Sequence, residues 1–133
     1  MRTGWEIVIA GRNFDPTEFF GRSGIQPSRL GLREERDGWT RQVVEFTDWR
    51  EGRDQDRYSL DMATEALDYL KANRQEFEEL CTLPGVEERI LNFVGLVTRD
   101  GAADDFVLSP SDLSLLADLG FSVSFCTVCR LPD

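Results

Sequence analysis

Residues 59–82 read SLDMATEALDYLKANRQEFEELCT, and the spacing of their apolar members decides the fold. Leu60, Ala63, Leu67 and Leu70 step by three, four and three, and Phe77, Leu80 and Cys81 keep the phase. At about 100° per residue these positions gather on one side of a helix. Ser59 stands before the pattern as a cap. Leu83-Pro84-Gly85 ends it after Thr82, and Asn73 is a point of interruption. A helix with one apolar stripe must lay that stripe on another element.

The flanking sequence supplies strands. Thr3 to Gly11, Trp39 to Phe46 and Glu88 to Arg99 carry the β-branched and aromatic residues of strands. Phe121, Val123 and Phe125 alternate with Ser122, Ser124 and Cys126 in a last one. Asp100-Gly101 predicts a turn, with Phe106 to Leu108 as a short return strand. Two shorter helices are signposted by their starts. Asp15-Pro16-Thr17-Glu18 combines an acid cap, a proline at the first helical position and a glutamate two residues on, with Gly21 and Gly24 closing the helix. Ser109-Pro110-Ser111-Asp112 repeats that chemistry before Leu113, Leu115, Leu116 and Leu119, and Gly120 is the stop. The segments Phe14 to Phe19 and Leu108 to Leu113 therefore echo one another, as a decayed duplication or as two capping boxes. Gln26 to Gly38 and Thr47 to Tyr58 predict loops.

The expected architecture is α+β, one domain over residues 1–133. It is a two-layer sandwich, with a mixed, mainly antiparallel sheet of four or five strands and helices on one face. A ferredoxin-like arrangement with the long helix inserted is one form of it.

Composition removes several functions. No residue is histidine, which excludes Ser-His-Asp and Cys-His catalysis and any His-ligated metal. Twenty-five acids against 15 bases give a net charge of −10, unsuited to nucleic acid or an anionic membrane. No stretch approaches the roughly 18 apolar residues of a membrane span. Cys81, Cys126 and Cys129 form an odd set without an export signal, which suits free thiols in the cytoplasm. Cys126-Thr127-Val128-Cys129 lies in a strand rather than at a helix start, so it lacks the dipole that activates a redox pair. Only Cys81 is spare to complete a zinc site. Asp54-Gln55-Asp56 with Glu65 imitates a calcium loop, but Ser59 stands where the loop needs its glycine. No metal and no cofactor are expected, and no catalytic residue is singled out.

Two charged features remain. Arg29, Arg33 and Arg36 precede Trp39, and guanidinium groups suit phosphate or carboxylate, so this loop is one candidate site for a small anion. Glu34, Glu35 and Asp37 sit among them and neutralise them. The second feature is larger. Residues 1–50 hold eight acids and eight bases, so the whole acid excess follows residue 50. On the long helix Asp61, Glu65, Asp68, Glu76 and Glu79 fall within about 80° of one another, away from the leucine face. Such a stripe is the back of a solvated helix or an acidic docking face for a basic protein.

Beside these readings stands a resemblance. After the first strand and its acid-capped helix come Gly24-Ile25-Gln26-Pro27-Ser28, a glycine-bearing loop at Gly31, and Trp39 opening a strand. Leu119-Gly120 then precedes a β-rich tail. In these features the chain, from Trp5 to Val128, resembles the bacterial domain-of-unknown-function family numbered 4279. The resemblance implies a small, bacterial, stand-alone α+β domain and carries no known reaction or site. The function expected from the residues is non-catalytic binding of a basic protein in the cytoplasm, as in an immunity protein that covers a nuclease. Binding of a small anion is the alternative.

Overall fold

Alternation along the strands and a 3.6-residue period along the helices meet in one core. The computed structural model describes residues 2–51, 59–96 and 107–127, with side chains over 4–48, 63–94 and 107–125. In chain order the elements are β1 (Arg2–Gly11), α1 (Thr17–Arg22), β2 (Arg29–Glu34), β3 (Thr40–Glu51), α2 (Ser59–Ala72), α3 (Arg74–Cys81), β4 (Glu88–Leu96), α4 (Pro110–Leu119) and β5 (Ser122–Thr127). The five strands form one sheet in the order β2-β3-β1-β4-β5. Every pair is antiparallel except β4–β5, which is parallel and is connected through α4. This is the expected mixed, mainly antiparallel α+β sheet. The ferredoxin-like form is corrected: such a split unit keeps a strand between its parallel strands, and here β4 and β5 are direct neighbours.

Register explains which side chains are buried. Ile7 lies opposite Phe46 on one side and Leu91 on the other, with Ile9 opposite Val44 and Trp5 opposite Phe93. All seven are buried and share one cluster with Phe19 of α1, Ala63, Ala66, Leu67 and Leu70 of α2, Phe77, Leu80 and Cys81 of α3, and Leu115, Leu116 and Leu119 of α4. The helices thus pack on one face of the sheet. The other face presents Glu6, Val8, Glu45, Thr47 and Asn92, all half-buried. There the Asn92 amide donates to the Glu6 carboxylate at 2.9 Å.

The long periodic segment is two helices. The Tyr69 carbonyl accepts from both the Asn73 backbone amide (3.2 Å) and the Asn73 side-chain amide (2.9 Å). A short amide side chain that competes for its own turn disfavours helix interior, and the helix restarts at Arg74. The apolar phase survives the break because Phe77 and Leu80 still point inward.

The two echoing helix starts differ. Ser109 and Asp112 form a full capping box, each side chain bonded to the other's backbone amide at 3.1 Å. In the first, Asp15 accepts from the Thr17 amide at 3.0 Å but α1 has no reciprocal bond. Gly120 ends α4 with φ of 75°, and the Phe121 and Gly120 amides close back on Leu116 and Ala117. Gly85 has φ of +89°, and a Cβ there would stand 2.2 Å from the Asn13 carbonyl oxygen. That close approach sets the turn before β4 against the end of β1, where the Glu87 amide bonds Ala10 at 2.9 Å.

Three further expectations are corrected or fall outside the structure. The segment expected as a loop over 26–38 contains β2, an edge strand exposed at all six positions. Its Leu30 and Leu32 alternate with Arg29, Gly31 and Arg33, so no face is buried to betray it. Strand β3 runs on to Glu51, five residues beyond Phe46, through a stretch expected as loop. Val107 and Leu108 carry no strand. The Asp100-Gly101 turn, Phe106, most of the Asp54 calcium-like segment and Cys129 lie outside the described residues.

Candidate functional site

The two layers carry different charge. Helices α2, α3 and α4 hold eight acids and two bases. The five strands hold six of each. The helix layer is thus the acidic side of the molecule.

Its two cations both act as ties between helices. Lys71 of α2 reaches Asp112 of α4 at 2.7 Å. Arg74 of α3 holds Glu78 one turn on at 2.9 Å and Asp118 of α4 at 3.2 Å. Arg22 of α1 pairs with Glu79. The Lys71 bond, followed by the Ser109 cap, holds the Asp112 carboxyl below the ordinary carboxylate range.

The five stripe residues are not equivalent. Asp68 is exposed, and so is Glu79 beside Arg22. Glu65 and Glu76 are half-buried on the flank of the layer, and Glu76 lies close enough to Tyr69 to add to the burial that raises its phenol. Asp61 sits in the first turn of α2, and its side chain is outside the described residues. The phase break at Asn73 separates the first three from the last two. Glu78 and Asp118 complete the acidic surface, both exposed. Helical phase alone missed them, since their place beside the stripe depends on how α3 packs against α4.

The arginines of the anion candidate are on a strand. Arg29 and Arg33 share the sheet face that lacks helices, and both flank Glu45, which lies directly opposite Arg29. Arg33 reaches Glu45 at 3.4 Å. Arg36 is exposed in the turn between β2 and β3. Nearby, Arg41 is mostly buried among Glu88 at 3.1 Å, Glu35 at 3.7 Å and Glu87 at 3.9 Å. Arg12 bonds Asp37 at 2.7 Å and lies over the Trp39 ring at 5.4 Å. Arg12, Arg33 and Arg41 already face carboxylates, so an anion added at them would have to displace those groups.

A cleft of about 270 Å³ opens where α3 and α4 end, beside Cys81, Arg89 and Gly120. Arg89 donates from Nε and Nη2 to the Cys81 carbonyl at 3.1 and 2.8 Å, satisfying the end of α3. Burial pushes the Cys81 thiol up to about 11, against the pull of Arg89. A buried thiol with that affinity for its proton is a packing group, not a nucleophile. Among the described residues no three His, Cys, Asp or Glu side chains are placed to hold a metal, and no helix is long and apolar enough to cross a membrane.

No family model, curated protein or solved structure matches the chain significantly.

Proposed function

We propose that the protein is a non-catalytic, cytoplasmic binding domain whose acidic helix layer docks a basic protein. The observation that carries this reading is the separation of charge by layer, eight acids to two bases on α2–α4 against parity on the strands. Both cations of that layer hold helices together, so the excess is carried on a braced surface. One-signed surface steers an oppositely charged partner and raises its association rate. Inhibition of a nuclease by covering its phosphate-binding surface is the narrower form of the same reading. The resemblance to family 4279 brings no activity of its own and is compatible with it.

The test reverses Asp61, Asp68 and Glu79 to lysine together and leaves the half-buried Glu65 and Glu76 intact. Partners captured from the native cell at low and moderate salt are compared between the two forms. A basic protein that is lost with the variant and weakened by salt supports the proposal. Capture that survives both overturns it, provided circular dichroism shows the variant folded.

A further inference from the structure

We infer that β2 is a self-pairing edge, through which two copies of the chain join their sheets around Leu32. The strand ends the sheet on one side and is exposed throughout, with Leu30 at 47% and Leu32 at 72% of full exposure. The Glu35 amide donates to the Trp39 carbonyl at 2.8 Å. Bonded pairs alternate along an antiparallel ladder, so the odd residues of β2 bond to β3. Leu30, Leu32 and Glu34 therefore turn their backbone N–H and C=O groups to the open edge.

A second copy fits this edge by charge. A two-fold axis through Leu32 sets Leu32 against Leu32 of the second copy on the helix side, with each Leu30 diagonal to that pair and opposite Glu34. On the other side Arg29 falls opposite Glu35 of the second copy, twice. Arg33 falls opposite Gly31, where nothing lies within 4 Å of an added Cβ. An axis through Gly31 would instead set Arg29 against Arg33 twice, and like charges directly opposite are destabilising. Between these two registers the charges select the axis through Leu32. They also select this side of the molecule, since the acidic helix layers repel one another while the strands are balanced. β5, the other edge, has no charged residue to fix a register. The pairing does not depend on the function proposed for the helix layer.

The experiment measures mass in solution by sedimentation, from micromolar to near-millimolar protein. A concentration-dependent dimer is expected, and Leu32→Lys should weaken it by roughly tenfold or more without changing the melting temperature of the dilute monomer. Register is read by oxidation in a Cys126→Ser, Cys129→Ser background. Leu32→Cys should crosslink to its own mate, and Gly31→Cys should not. A chain that stays monomeric overturns the inference and leaves the edge to a strand of another protein. A dimer indifferent to Leu32→Lys, or one crosslinked through Gly31→Cys alone, overturns it equally.

Discussion

The helix layer and the β2–β3 end of the sheet are both rich in charge, yet they use it differently. On α2, α3 and α4 acids outnumber bases four to one, and Lys71 and Arg74 join α4 to its neighbours. In the sheet, arginines and carboxylates alternate so closely that Arg41 alone meets three carboxylates. Charge count and charge availability are separate quantities. Arg33 and Arg41 of the sheet are held by carboxylates, as Glu78, Glu79, Asp112 and Asp118 of the helix layer are held by cations.

The largest effect is expected beneath the helix layer. Phe77 is fully buried and meets Phe46 edge-on at 5.1 Å and Tyr69 at 5.8 Å. Phe77→Ala should cost about 3–5 kcal/mol, read by urea unfolding. A loss below 1 kcal/mol would mean that α3 is not seated on the sheet as described. Arg41→Gln tests the sheet. It leaves Glu35, Glu87 and Glu88 converging on a neutral group, and should cost about 1–3 kcal/mol. That loss should shrink as salt rises, because salt screens the remaining repulsion. A loss unchanged by salt would show packing rather than charge at work.

Asp112 is held below the ordinary carboxylate value, by Lys71 first and the cap second. A depressed folded value adds stability that is fully present above the unfolded value, about 4. It is lost as pH falls through the lower folded one. Asp112→Asn should therefore cost about 0.5–1 kcal/mol near neutrality, and the variant should lose less stability on acidification below pH about 4. Identical acid profiles would remove the Lys71–Asp112 tie from consideration.

Elements with a buried face were legible in the sequence. The 59–82 periodicity located α2 and α3, and even Asn73 marked their junction. The Ser109 box and Gly120 bounded α4 to the residue. What escaped was β2, because its alternation rests on Leu30 and Leu32 alone, among Pro27, Gly31 and Gly38, and neither leucine is buried. The extension of β3 past Phe46 escaped for a related reason, since Thr47 and Asp48 read as polar loop although they are paired with Glu6 and Trp5. The acidic surface was half legible. Phase along one helix found Asp68 and Glu79, but Glu78 and Asp118 meet through Arg74 from positions 40 residues apart.

The strand order has a consequence for biosynthesis. β1 lies in the middle of the sheet, yet it is the first of the five strands to be made. Its partner on one side, β4, begins 77 residues after β1 ends. At ribosomal speeds of about 5–20 residues per second, that is a wait of roughly 4–15 s with one edge of Ile7 and Ile9's strand unsatisfied. Emerging chains must therefore carry a half-paired central strand until β4 is made. A stall or cleavage before Glu88 would release a β1–β3 fragment with its apolar face and its edge both open, a substrate for chaperones rather than a smaller version of the domain.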